Sequence, residues 1–104
     1  MTRAVARFTP RAKQALDDIW LYVALEGSPH AATNVIEDIE AVCSSLLARF
    51  PEAGVPRPDL GFDVRMYTKH NYNIYYEPAD NGVRVLHVIH GRRDQASAFS
   101  DDKA

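Results

Sequence analysis

The sequence predicts an α+β domain in two layers, a helical hairpin packed on a small antiparallel sheet, with elements in the order β-α-α-β-β-β. Three observations carry this. From Val64 to Arg93 the run VRMYTKHNYNIYYEPADNGVRVLHVIHGRR is rich in Val, Ile and Tyr, and Lys69-His70-Asn71 and Asp80-Asn81-Gly82 break it at hairpin spacing. From Pro10 to Leu47 apolar residues recur at helical spacing in two blocks, each opened by a hydroxyl residue and a proline. Finally, 104 residues suffice for one compact domain (1–104) and not for two cores, so both helices must cover the same sheet.

Arg3 to Phe8 alternates Arg3, Val5 and Arg7 against Ala4, Ala6 and Phe8, a short strand expected to add to the meander. Thr9-Pro10 then starts a helix: the hydroxyl can accept from an unpaired first-turn N–H, and proline at the first position gives up no hydrogen bond. Ala12, Leu16, Ile19, Trp20 and Val23 carry that helix to about Leu25, and Gly27 stops it. Ser28-Pro29 repeats the start signal. Ala32, Val35, Ile36, Ile39, Val42, Cys43, Leu46 and Leu47 follow as a long apolar stripe, with Glu37, Asp38 and Glu40 on the wet side. So short a gap makes the two helices an antiparallel hairpin. Phe50-Pro51 ends the second helix. Residues 52–62, with Gly54, Pro56, Pro58 and Gly61, are expected as a surface loop carrying Arg57 toward whatever the sheet face meets.

The meander strands are predicted at Val64–Thr68, Tyr72–Glu77 and Val83–His90. In the last, simple alternation puts Val83, Val85, His87 and Ile89 on one face and Arg84, Leu86, Val88 and His90 on the other. Both faces are then partly apolar and one needs a lid. Gly91-Arg92-Arg93 brings two guanidinium groups to the end of the sheet. Ser97 to Ala104 is expected as a loose end with Phe99 tucked back on the body.

The formal net charge of -2 does not advertise a nucleic-acid-binding domain. Its distribution is uneven: Arg11, Lys13 and Arg49 face Asp17, Asp18, Glu26, Glu37, Asp38 and Glu40 in the helical part, whereas Arg57, Arg65, Lys69, Arg84, Arg92 and Arg93 outnumber Asp59, Asp63, Glu77 and Asp80 in the sheet part. Cys43 is the only cysteine, which excludes an internal disulfide and fits a reducing cytoplasm. No signal-like or membrane-length apolar run appears, so a cytoplasmic protein is expected. His87 and His90 fall on opposite strand faces and no metal-ligand spacing surrounds them, so neither metal nor cofactor is predicted. The acidic pairs of the helices read as solvated faces. Tyr72 and Tyr76 share one sheet face and Tyr75 takes the other; such residues could stack on nucleobases, but strand packing with hydroxyls at the rim explains them adequately.

The segments FTPRAKQALDDIWLY (8–22), LLARFPEAGVPRPDL (46–60), VRMY with YNIYYEP (64–78) and VRVLHVIHGRRD (83–94) together resemble the ParE/RelE superfamily of bacterial toxins from type II toxin–antitoxin pairs, on its ParE-like side. The resemblance covers nearly the whole chain and implies the same β-α-α-β-β-β order, a cognate ParD-like antitoxin and growth arrest by the free toxin. It also implies one of two targets. RelE-like members cut messenger RNA on the ribosome with basic residues on the meander and a tyrosine near the C-terminus; ParE-like members act on DNA gyrase. Here Asn73 occupies the basic position after the first tyrosine of the ribonuclease strand, and Phe99 occupies the terminal tyrosine's place. Arg93 matches the ribonuclease arginine and Arg65 lies on the strand that supplies their lysines. RNA cleavage needs a proton acceptor, a proton donor and positive charge; Asn73 and Phe99 supply neither proton role, and His70, His87 and His90 are better explained as turn, packing and support residues.

The expectation is therefore a gyrase inhibitor rather than an enzyme, with no catalytic residue assigned. Its alternatives are a RelE-type ribonuclease and a non-toxic antitoxin-binding scaffold. Arg65, Arg92 and Arg93 are the expected target-binding residues. Arg57 and Arg84, with Val35 and Ile39 on the helical stripe, are the expected antitoxin-binding ones, and no sequence-specific nucleic-acid binding by the toxin alone is expected.

Overall fold

The computed structural model describes residues 3–101. A strand β1 (Val5–Phe8) leads into helix α1 (Pro10–Glu26) and helix α2 (Pro29–Ala41), which widens into a π-helical turn over Val42–Leu47. After a 3-10 turn at Pro51–Ala53 come β2 (Val55–Pro56), β3 (Arg65–Lys69), β4 (Tyr72–Ala79), β5 (Gly82–His90) and a third helix, α3 (Gln95–Asp101). The five strands form one sheet in the order β1-β5-β4-β3-β2. The meander β3-β4-β5 and β2 are antiparallel, while β1 joins β5 in parallel.

The expected start signals act as read. Thr9 Oγ1 accepts from Ala12 N at 3.1 Å and Ser28 Oγ accepts from Ala31 N at 3.0 Å, each followed by proline. Trp20 Nε1 donates to Thr33 Oγ1 at 3.2 Å and ties the two helices together. In the π turn Ala48 N donates to Cys43 O at 2.9 Å. Cys43 and Leu47 both lie in the core, and burial pushes the Cys43 thiol up to about 12. The β3–β4 hairpin closes on His70-Asn71, both with positive φ (53° and 65°), as a two-residue loop matching the twist of the strands demands.

The expected two-layer architecture, a helical hairpin on a small antiparallel sheet, stands, with β1 added in parallel at the β5 edge. Three expectations are corrected. First, Arg3 and Ala4 precede the strand, and the supposed loop 52–62 contributes β2, paired with Met66 and Arg65. Second, the tail is a helix to Asp101, capped by Asp94 Oδ1 accepting from Ser97 N; residues 102–104 of the expected loose end lie outside the described residues. Third, the alternation along β5 breaks. Tyr76 pairs with Val85 but Tyr75 pairs with His87, which leaves Leu86 unopposed as a bulge.

The bulge exchanges the faces of β5 midway. Val83, Val85 and Val88 join Tyr72, Ile74 and Tyr76 in the core under the helical hairpin, with Ala12, Leu16, Ile19, Ile39 and Leu47. Leu86 and Ile89 instead join Tyr75, Val64 and Ala98 on the opposite face, where α3 provides the lid. Tyr72, Tyr75 and Tyr76 are all buried, so these three rings are packing elements and do not present a stacking platform. Gly82 lies hard against β1: at φ 150°, a Cβ there would stand 1.8 Å from Val5 O, so glycine is what admits β1.

Candidate functional site

The expected site residues do not form one cluster. Arg65 lies opposite Tyr76, and its Nη1 donates to Gly54 O (2.7 Å) and Glu52 O (3.3 Å). Tyr76 holds the same turn, its hydroxyl donating to Pro51 O (2.7 Å) and accepting from Gly54 N (2.8 Å). Arg65 is thus a strap on the 51–54 turn. Arg57 grips Asp59 through Nε (3.0 Å) and Nη2 (2.9 Å), and its guanidinium lies 5.8 Å from the centroid of the Tyr75 ring. The Asp59 hydrogen bond holds the Arg57 guanidinium above its usual range and the Asp59 carboxyl below its own. Arg84 pairs with Glu77 across the strands.

On the helical stripe the placement is a correction. Ile39 is 0 % exposed and Val35 is half-buried against the same core, because the stripe faces the sheet. As a surface for a partner, Ile39 is inaccessible. The more exposed apolar side chains of the hairpin include Leu21, Tyr22 and Leu25 on α1, beside the partly exposed Trp20. Asp38, read as a solvated carboxylate, meets His70 Nε2 at 2.7 Å and pins α2 to the β3–β4 turn.

Arg92 and Arg93 do come together, in the exposed turn after β5. Arg92 N donates to His90 Nδ1 at 3.0 Å, so His90 supports this turn through the backbone. Arg93 opens onto two adjoining clefts between α1 and the end of β5. The larger, about 850 Å³, includes Thr9, Arg11, Leu86, His87 and Phe99; the smaller, about 440 Å³, includes Ile19, Tyr22, Tyr72, Val88, His90 and Arg92. Ala15, Asp18, His87 and Arg93 border both, so they are two ends of one trench.

On the other sheet face, the residue that organises the geometry is Gln95, which the sequence reading passed over. Its Oε1 accepts from the Tyr75 hydroxyl (2.6 Å) and from Asn73 Nδ2 (3.1 Å), while its Nε2 donates to His90 O and Arg93 O, both at 2.8 Å. Phe99 packs edge-on to Tyr75 with centroids 5.3 Å apart, and Arg11 lies 4.8 Å from the Phe99 centroid. Burial raises the Tyr75 hydroxyl above its ordinary value, so it keeps its proton at neutral pH. Asn73, Tyr75 and Phe99 therefore present an amide, a protonated phenol and a hydrocarbon, a poor set for moving protons. The signal for Gln95 was readable: Asp94 followed by QASAF is an N-cap ahead of a helix with apolar residues.

Three comparisons bear on this geometry. Residues 6–95 match the family model described as the ParE toxin of the type II toxin–antitoxin system, parDE. No curated protein matches the chain. Among solved structures, the chromosomal ParDE toxin–antitoxin system of P. aeruginosa superposes with a TM-score of 0.68 at 21% identity, covering 83% of this chain and 94% of that one. The RelBE2 toxin–antitoxin complex of Mycobacterium tuberculosis gives 0.63 at 21% identity, covering 86% and 93%. At such identity these two likenesses establish the shared fold. Among the described residues no helix is long and apolar enough to cross a membrane.

Proposed function

The chain belongs to the ParE toxin family of type II toxin–antitoxin systems, and from that premise we propose that it is a cytoplasmic toxin that inhibits DNA gyrase by binding it and is neutralised by a ParD-like antitoxin. The observation that carries the choice of inhibitor over ribonuclease is the state of the sheet face opposite the helical hairpin. There Gln95 engages both Asn73 and Tyr75, and Phe99 covers the ring. Cleavage of RNA would need a proton acceptor and donor at that face, and loss of one such group typically costs about 10²–10⁴-fold in rate. Inhibition by binding needs only a complementary surface, for which the exposed Arg92–Arg93 turn is the proposed anchor. An antitoxin is supported by Leu21, Tyr22 and Leu25, neighbouring apolar side chains that α1 leaves exposed; the solved relatives of the same fold are described as toxin–antitoxin systems.

Two assays on one preparation test the target. Purified protein should block gyrase-catalysed supercoiling of relaxed plasmid and leave ribosome-bound messenger RNA intact. Discrete cleavage of the messenger with normal supercoiling at excess protein would reverse the assignment.

A further inference from the structure

The turn between β4 and β5 is Asp80-Asn81, closed by the pairing of Ala79 with Gly82. It meets β1 directly: Val5 is the parallel partner of Gly82, and Val5 N donates to Asn81 O at 2.7 Å. Two demands therefore fall on neighbouring residues. Residue 81 has φ 62°, in the left-handed region that asparagine and glycine tolerate best. Residue 82 has φ 150°, and a Cβ there would fall 1.8 Å from Val5 O and 2.9 Å from Val5 N, so only glycine fits. The fold thus sets an asparagine before a glycine, the pair in which no following side chain hinders the next amide nitrogen from approaching the carboxamide. Asn81 is also exposed to water.

We propose that Asn81 is a site of spontaneous modification, converting to isoaspartate at a rate set by how often β1 leaves β5. The Gly82 amide gives its proton to hydroxide and its nitrogen attacks Cγ of Asn81. The bond from Gly82 N to Asn81 Cγ forms and the bond from Cγ to Nδ2 breaks; the side-chain nitrogen takes a proton from water and departs as ammonia, leaving a five-membered imide. Water then opens the ring. Addition at the Asn81 main-chain carbonyl breaks its bond to Gly82 N, so the chain runs on through Cβ and Cγ as isoaspartate, while addition at Cγ gives aspartate. Neither step needs an oxidant or a reductant. The first is restrained by β1. Attack requires the planar Asn81–Gly82 peptide to rotate until its nitrogen faces Cγ, and that rotation carries Asn81 O away from Val5 N. Residue 82 is held from both flanks, by Val5 and by Ala79. Yet β1 is a four-residue strand at the edge of the sheet, an element of the kind that opens locally without global unfolding. Once isoaspartate has formed, the extra main-chain carbon and the new carboxylate beside Asp80 displace both contacts with Val5, and the turn holds β1 less tightly.

The test incubates the full chain at about pH 8 and digests it with trypsin, which releases residues 70–84 as one peptide. Asn71 and Asn73, followed by Tyr72 and Ile74, are controls within that peptide. Fragment masses are expected to show a gain of about one mass unit at Asn81 about tenfold sooner, or more, than at Asn71 or Asn73, with the product accepting a methyl group from isoaspartate methyltransferase. Phe8→Ala, which removes a ring packed on the core at the end of β1, and urea below the unfolding range both serve to loosen the strand, and NMR amide exchange at Val5 measures by how much. The rate of modification is expected to rise in the same proportion as that exchange. Exchange across β1 should also quicken as product accumulates in the wild-type chain, whereas Asn81→Gly, which keeps the left-handed turn and lacks the carboxamide, should show no such drift. An Asn81 that reacts no sooner than Asn71 and Asn73, or at a rate indifferent to Val5 exchange, would overturn the proposal.

Discussion

Arg65 is where a charged residue on the meander has two incompatible explanations, and a single substitution separates them. In Arg65→Met the aliphatic stem remains and the guanidinium is lost, together with its hydrogen bonds to Gly54 O at 2.7 Å and Glu52 O at 3.3 Å. A hydrogen bond from a charged donor contributes about 1.5–3 kcal/mol; the site is partly exposed and the second bond is long, which brings the expected loss to about 1–2 kcal/mol. For a domain of this size that corresponds to a fall in Tm of roughly 4–16 °C. Tyr76→Phe removes the other strap on the same turn and leaves Gly54 N and Pro51 O without their buried partner, a loss of about 2 kcal/mol. Because both side chains hold residues 51–54, the double variant is expected to lose less than the sum, with a coupling of about 0.5–1.5 kcal/mol. Urea denaturation followed by circular dichroism measures all four corners of the cycle, and an unchanged m-value would certify that only stability has moved. Supercoiling inhibition, assayed where every variant is folded, should be retained by Arg65→Met. If that variant unfolds at the wild-type urea concentration yet no longer inhibits, the strap assignment is wrong and Arg65 is a target contact.

Three further outcomes follow from the core and the sheet. Ile39→Ala should cost about 2–5 kcal/mol in the same denaturation experiment, since the side chain is fully buried; a smaller loss accompanied by weaker antitoxin binding would restore it as a surface residue. Gly82→Ala should displace β1, because the new Cβ falls 1.8 Å from Val5 O at a φ of 150°, and faster amide exchange in β1 with β4 unaffected is the signature. Stability should fall as pH rises from about 9, through the unfolded-state values of 9.0 for Cys43 and 10.0 for Tyr72, Tyr75 and Tyr76. All four groups are raised in the folded state, so the unfolded chain binds fewer protons there, and the loss continues toward the folded Cys43 value of about 12. Denaturation midpoints from pH 8 to pH 11 should therefore decline, and a flat profile would contradict the burial of these groups.

The caps, the hairpin turns and the helical stripe were legible because each rests on neighbours in sequence: Thr9-Pro10, Ser28-Pro29 and His70-Asn71 act through residues no more than three positions away. The place of Arg92 and Arg93 just beyond β5 was legible for the same reason, while their role in target binding is a proposal. Features that depend on distant residues were not. Nothing local to Val85-Leu86-His87 announces the bulge, which exists because Tyr75 and Tyr76 fix the partner register from another strand. Nor does β2 have a strand-like sequence: Val55-Pro56 is held by β3 and by the Arg65 and Tyr76 straps. The role given to Ile39 failed on a different point. Periodicity identifies an apolar face without saying whether it meets the sheet or a partner, and here the sheet takes it.

The bulge also explains why the two faces of so small a sheet can serve different ends. With strict alternation, His87 and Ile89 would lie under the hairpin beside Val85, and Val88 would face α3. One unopposed residue reverses this, so that Val88 continues the hairpin core while Ile89 builds, with Tyr75, the surface on which α3 rests. The end of β5 is thereby clasped from both sides, by α1 and by the Gln95–Phe99 part of α3, and the Arg92–Arg93 turn is held at a fixed place between them through the Gln95 bonds to His90 O and Arg93 O. A pair of arginines on an untethered tail would lose its conformational freedom on binding, whereas a turn fixed in this way is already ordered. The tether therefore belongs to the proposed function: Gln95→Ala, which releases the turn without touching either guanidinium, is expected to weaken gyrase inhibition through faster dissociation while association keeps its salt dependence. Unchanged dissociation in that variant would mean that the turn needs no support from α3.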